Sequence, residues 1–313
     1  MTSDHGQGAL MDMMTRIQAA LDHELTLACS PSAPPRLMAA MRHAVFPGGA
    51  RIRPQLCLAV AGACGEDAPA LTNAAAMAIE LLHCASLVHD DMPCFDDADT
   101  RRGQPAVHKV YGEPLALLTG DALIVMAYQI LARAGSLHPE RLAGLIETVC
   151  IGTGAPDGIV AGQAWECENR VELGQYQRAK TGALFVASTC AGAQAAGADP
   201  QAWRPLGECL GEAYQVADDI RDVLMQADEL GKPAGQDAQH GRPSAASKLG
   251  LVGAIDHFHG LMQAAIDSVP ACQSRSAMRQ LVLHESRRLI PQSTCDRIEL
   301  QRTADHPAVR LAA

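Results

Sequence analysis

Aromatic residues make up only 3% of this 313-residue chain, too few to build its interior. With 48% of residues apolar, Ala, Leu, Val and Ile must form the core, and that alanine-rich economy favours helices over sheets. Lysine is scarcer still: Lys109, Lys180, Lys232 and Lys248 are the four in the chain, so a lysine inside a motif stands out. A formal charge of −10 lacks the basic footprint that nucleic acid demands, which excludes it as a partner. The 11 cysteines stand singly, without a CxxC pair, and this odd count in a long chain argues against a disulfide framework and for a reducing cytoplasm. No uninterrupted apolar run reaches the ~18–20 residues that span a bilayer, so no transmembrane segment is expected. The N-terminus opens with Asp4 and His5, lacks a basic region and does not read as a secretion signal. Strand-like alternation of convincing length and internal repeats are missing as well.

What remains is helical periodicity. Met14, Ile17, Leu21 and Leu25 recur at helical spacing within Met11–Cys29. Further helices are expected over Arg36–Val45, from Arg51 to Ala63, from Leu71 into an acidic cluster at Asp90, and over Leu115–Ala134, His138–Gly152 and Ile159–Glu168. Leu173–Ala196, Trp203–Leu224, a helix capped by Ser244 and running to Gly250, Val252–Val269 and Met278–Ile290 complete the set. Arg101–Glu113 and Leu230–Pro243 read as polar loops, and the last twenty residues lack periodicity. The expected fold is all-α: a single domain over 1–313 of ten or more helices around a central cavity, with frayed ends near 1–10 and 294–313.

Two acidic clusters lie in apolar surroundings: Asp90, Asp91, Asp96, Asp97 and Asp99 after the run Ile79–Val88, and Asp218, Asp219 and Asp222 after Tyr214–Ala217. Carboxylates in apolar context are costly unless paired or metal-bound. Asp218 and Asp222 are i and i+4, so on a helix they share one face and repel. Magnesium prefers such oxygen ligands and retains open positions for phosphate oxygens. A solvated helix end with Arg221 as local partner is the competing reading. Arg101 and Arg102 follow the first cluster closely, and guanidinium forks bind phosphate while aspartates bind metal. A calcium loop is the competing idea for Asp96, Asp97 and Asp99, but the loop glycine and terminal glutamate of an EF-hand are missing.

The run Leu81–Asp97 followed by Arg101-Arg102-Gly103 resembles the first aspartate-rich motif of trans-isoprenyl diphosphate synthases, and Tyr214–Asp222 resembles the second. Lys180-Thr181-Gly182 is similar to the family's K-T-G segment, and Gly48-Gly49-Ala50-Arg51-Ile52-Arg53-Pro54 to its G-G-K-R-x-R-P segment. The matches keep the family's order and cover roughly residues 36 to 250. The resemblance implies the all-α isoprenoid synthase fold and a head-to-tail prenyl transfer. An allylic diphosphate (dimethylallyl, geranyl or farnesyl) ionises, isopentenyl diphosphate adds to the cation, and the released diphosphate takes the proton. It further implies three magnesium ions held by Asp90, Asp91, Asp96, Asp218, Asp219 and Asp222, which stabilise the diphosphate leaving group. Arg101, Lys180 and Lys232 would grip the allylic diphosphate, and Arg53, His83 and Arg102 isopentenyl diphosphate. Lys180, Thr181 and Gln215 take the catalytic positions, the last two turning oxygen dipoles towards the cation. A homodimer is implied too. His89 receives no role.

Two positions depart from the pattern. The lysine of G-G-K is Ala50, and the second lysine of G-K-x-x-G-K-D is Gln236, each removing a cation from a diphosphate site. Small residues at Ala85 and Ser86 stand where shorter-chain relatives carry a bulky aromatic, which points to an unblocked tunnel and a geranylgeranyl product. The run Cys84–Asp91 is likewise similar to bacterial carotenoid-pathway enzymes. Farnesyl diphosphate synthesis and a weakly active or regulatory subunit are the alternatives. A class I terpene cyclase would share the metal chemistry without needing the second D-D-x-x-D or the R-I-R-P segment.

Overall fold

Helices account for almost all the regular structure of this chain, whose computed structural model describes residues 3–46, 48–170, 172–224 and 245–291. In chain order they are α1 (Ser3–Ala28), α2 (Pro35–Val45), α3 (Ile52–Ala63), α4 (Pro69–Asp90), α5 (Val107–Tyr111), α6 (Glu113–Gly135), α7 (Pro139–Thr153) and α8 (Ile159–Trp165). They continue with α9 (Leu173–Gln177), a π-helical turn (Arg178–Gly182), α10 (Ala183–Ala195), a short 3₁₀ turn (Pro200–Trp203), α11 (Arg204–Leu224), α12 (Ala245–Ser268) and α13 (Arg275–Leu289). Proline in the first turn of α2, α4, α6 and α7 explains four of these starts, since its fixed φ suits a helix and its missing N–H would be unpaired there anyway.

The core lies in two clusters. One surrounds α4, where Leu71, Met77, Ile79 and Leu81 are fully buried against α1, α6 and α7. The other surrounds α11, whose Leu206, Leu210, Ala213, Ala217 and Ile220 repeat at helical spacing and pack against α12 and α13. Helices α3 and α10 supply residues to both. The acidic motifs thus sit at the C-terminal ends of the central helix of each cluster. Helix C-termini carry partial negative charge, which favours cations there.

Three features differ from the sequence reading. The stretch 101–113 is more than a polar loop: β1 (Thr100–Arg101) and β2 (Gln104–Pro105) pair antiparallel, and α5 follows. Arg102 and Gly103 both take positive φ (54° and 75°), as a tight two-residue hairpin turn requires. The long pattern over Leu173–Ala196 is interrupted by the π turn at Lys180. Finally, α4 and α6 are long and apolar enough to cross a membrane, because a helix tolerates the scattered polar residues that interrupt an apolar run. In α4, 78% of the apolar window is buried as core; in α6 only 44% is, leaving Leu117, Leu118 and Val125 exposed. The break between Gly250 and Val252 is a kink within α12, where Gly250 has φ 70°. Ser244, the loop 230–243 and the C-terminal twenty residues lie outside the described residues.

Candidate active site

At the end of α4 the chain folds back on itself. The carbonyl of Asp90 accepts from the Asp96 amide at 3.0 Å, and the carbonyl of Asp91 from the Ala98 amide at 3.1 Å. These bonds satisfy the last carbonyls of the helix and return Asp96 to the side of Asp90. One ligand oxygen each from Asp90, Asp96 and Glu166 lie within 4.8 Å of one another. An all-carboxylate set suits a hard divalent ion such as magnesium. Glu166, on the residue after α8, is a member that the motif spacing missed. Its only sequence signal is the i, i+3 relation to Gln163, whose Nε2 donates to Glu166 at 3.1 Å.

Asp91 is placed otherwise. It is buried, and Arg101 binds it through Nε at 2.8 Å and through Nη2. Burial pushes its carboxyl up, with Arg101 opposing that shift. Asp91 therefore anchors Arg101, which also reaches Asp90 at 3.5 Å. Burial works against the Arg101 charge, but this pairing more than offsets it.

Lys180 and Thr181 join the two acidic motifs. Lys180 Nζ donates to Asp90 at 3.2 Å and to Glu166 at 2.6 Å. Thr181 Oγ1 donates to Gln215 Oε1 at 3.0 Å, and Gln215 Nε2 donates to Asp219 at 2.9 Å. The π turn that presents these neighbours to opposite walls is a common device at functional sites. It is clamped by glycines: a Cβ on Gly162 of α8 would meet the Lys180 backbone nitrogen at 2.3 Å, and one on Gly211 of α11 the Gly182 Cα at 2.6 Å. Neither approach tolerates a side chain.

On α11, Asp218 is half-exposed and ion-paired with Arg221, the local partner expected from the sequence. Asp219 departs from the expected set, because it is 2% exposed and also accepts from the Ala245 amide at 2.6 Å. Its carboxylate ties α12 to α11 from the protein side of the helix. Asp222 shares the Asp218 face.

A cationic pocket faces this region. Arg53 Nη1 lies 3.4 Å from His83 Nε2, and its guanidinium stacks 4.4 Å above Phe185. Arg102 reaches over Gly49, where a Cβ would lie 3.0 Å from its Nε. Arg53 Nε and Arg102 Nη1 are buried without a hydrogen-bond partner among the described residues. Burial, and then the nearby guanidinium groups of Arg53, Arg102, Arg101 and Arg51, hold His83 well below its usual pKa. Two residues before Arg53, Arg51 is fully buried, in left-handed backbone, and spends its terminal nitrogens on Glu80 and the Val45 carbonyl. Its Nε, like that of Arg53, has no hydrogen-bond partner among the described residues. Orphaned donors beside a neutral imidazole are a receptor for an anion.

Ala85 is buried and Ser86 half-buried, its hydroxyl returned to the His83 carbonyl at 2.8 Å. His89 gains a function in packing: its ring lies across Gly120 of α6, and Nε2 is 3.3 Å from the Leu117 carbonyl. Ala50 is exposed. Lys232 and Gln236 lie outside the described residues. A cleft of about 1060 Å³ opens beside Gln215 and Gly182, between α7, α10, α11 and α12.

Known proteins carry the same plan. A geranylgeranyl diphosphate synthase of Cereibacter sphaeroides is 50% identical over 283 residues, covering 90% of this chain and 98% of its own. A farnesyl diphosphate synthase of Geobacillus stearothermophilus is 39% identical, covering 74% and 81%. The crystal structure of a geranyltransferase from Helicobacter pylori, complexed with magnesium and isoprenyl diphosphate, superposes with a TM-score of 0.76 at 28% identity, over 91% of this chain and 98% of that one. The family profile described as Polyprenyl synthetase matches residues 34–269, and with relatives of this identity and coverage the chain belongs to the polyprenyl synthetase family.

Proposed function

We propose that this chain is a magnesium-dependent geranylgeranyl diphosphate synthase acting as one unit over its length. One observation carries the reading: beside an oxygen-only carboxylate trio stand guanidinium groups whose buried N–H donors lack partners among the described residues. Asp90, Asp96 and Glu166 would hold metal on one wall and Asp218, with Asp222, on the other, three ions in all. When bound, the ions draw charge from the diphosphate leaving group. Lys180 and Arg101, which now rest on Asp90, would turn to the allylic diphosphate as its carbon–oxygen bond breaks and the electron pair goes to the diphosphate. Arg53, Arg102 and neutral His83 would hold isopentenyl diphosphate, whose double bond attacks the allylic carbon, and the cation so formed loses a proton to the released diphosphate. Thr181 and Gln215 keep polar oxygens near that carbon, and Lys232 would complete the allylic grip.

The test is incubation of purified protein with magnesium, labelled isopentenyl diphosphate and farnesyl diphosphate, followed by product chromatography. A twenty-carbon product is expected. Absence of any allylic product at every magnesium concentration would leave the regulatory-subunit reading, which the loss of a cation at Ala50 favours. Small Ala85 and Ser86 support the longer product over farnesyl diphosphate, and Ala85→Tyr should shorten it. An unchanged length would overturn the tunnel argument.

We also propose a homodimer in the cytoplasm. The exposed apolar residues Leu117, Leu118 and Val125 on α6 support a second copy as the cover of that face. Sedimentation of the parent and of Val125→Asp should distinguish dimer from monomer. The described cysteines are free thiols, which supports a reducing compartment.

A further inference from the structure

The last described helix, α13, reaches the cationic pocket through a chain of contacts. Arg53 stacks on Phe185, which is fully buried. Phe185 in turn lies against the Tyr214 ring, with centroids 4.5 Å apart at 43°. The Tyr214 hydroxyl donates to Glu285 Oε2 at 2.7 Å, and Arg288 donates to the same oxygen through Nε at 2.9 Å and contacts the Tyr214 hydroxyl through Nη2. Glu285 is 4% exposed, so this carboxylate is committed to a buried network. Both α13 residues lie beyond residue 269, where the family profile ends.

Arg53 needs such support. Without a carboxylate among the described residues to fix it, its guanidinium is oriented by the face of Phe185 and the edge of His83. A cation over a ring is held to the ring's orientation. Phe185 cannot tilt without displacing Tyr214, and Tyr214 cannot rotate without breaking its bond to Glu285. We propose that Tyr214, Glu285 and Arg288 form a positioning network that pre-sets Arg53, through Phe185, for the diphosphate of isopentenyl diphosphate. This inference rests on the assignment of Arg53 to that substrate. The residues touch neither substrate; they fix a side chain that does. The benefit is preorganisation: a guanidinium already aimed loses less freedom on binding.

The test uses the full chain and measures KM for isopentenyl diphosphate and for farnesyl diphosphate separately, together with Tm. Tyr214→Phe and Glu285→Leu should each raise KM for isopentenyl diphosphate by about three- to tenfold, as expected for coupled neighbours, and leave the farnesyl diphosphate KM within about twofold. Glu285→Gln, which still accepts the tyrosine hydroxyl, should restore the parent value. In an Arg53→Lys background the Tyr214→Phe effect should disappear, because the planar cation it positions is gone. Equal changes in both KM values, a loss of Tm alone, or additive effects with Arg53→Lys would each overturn the network. If Arg53→Lys by itself leaves the isopentenyl diphosphate KM unchanged, the assignment of Arg53 falls first and the network with it.

Discussion

The two poles of the site handle charge in opposite ways. At the acidic pole every cation has a carboxylate: Arg101 rests on Asp91 and Asp90, Lys180 on Asp90 and Glu166, and Arg221 on Asp218. At the cationic pole Arg53 and Arg102 retain buried N–H groups with no partner among the described residues, and His83 beside Arg53 is held well below its usual pKa. The first pole is closed on itself; in the proposed reaction it would exchange partners, metal taking the carboxylates and diphosphate the freed lysine and arginine. On the same proposal the second would receive an anion as it stands. Arg51 and Arg53 differ two residues apart in what they lie against: Arg51 is ion-paired with buried Glu80, whereas Arg53 meets His83 and the face of Phe185.

Breaking the acidic pole should cost most. Asp90→Ala removes a corner of the carboxylate trio and one of the two carboxylates that hold Lys180, leaving Arg101 on Asp91, so kcat should fall by at least about 10³-fold in steady-state assays with magnesium. The cationic pole should respond in KM. Arg102→Ala removes a charge-assisted grip of about 1.5–3 kcal/mol, equivalent to roughly 10–100-fold in KM for isopentenyl diphosphate, with the allylic KM little changed. If both substrates weaken equally, the poles are not separate. Ala50→Lys returns a cation to the rim of the open pole and should lower the isopentenyl diphosphate KM by a few-fold, about threefold, since an exposed charge is screened.

The smallest effect is in pH. Because the folded pKa of His83 lies well below its unfolded value of about 6.5, the unfolded chain takes up that proton first. This contribution is fully present above pH ~6.5 and is lost as pH falls towards the folded pKa. Thermal melts of the parent between neutral and mildly acid pH should therefore fall more steeply than those of His83→Gln. Equal slopes would mean that His83 is charged in the pocket.

Much of the fold was legible because helix periodicity and proline starts are local. The boundaries of α2, α3 and α11 follow from residues within a few positions of them. The hairpin at Arg101–Gln104 was not legible as strand, since two-residue strands have no period to detect. The π turn was hidden inside a continuous helical pattern, because its cause is the close approach of Gly162 and Gly211 from elsewhere in the chain. In the site, the motifs named Asp90, Asp96, Lys180, Arg53 and Arg102 at once. They did not name Glu166, and they grouped Asp91 and Asp219 with the metal ligands although each is turned into the protein.

By itself the sequence determined which chemistries were available: paired carboxylates in apolar context, one of four lysines standing before Thr-Gly, and arginines after the first acidic cluster and in the R-I-R-P segment. Those are matters of residue type and short spacing. The tertiary structure alone decided which groups share a charge. Folding back after α4 brought Asp96 to Asp90, the π turn set Lys180 beside Asp90 and Thr181 beside Gln215, and packing left one buried N–H each of Arg53 and Arg102 without a partner among the described residues. Electrostatic partnership depends on distances across the fold and on burial, and neither is written in the order of residues along the chain.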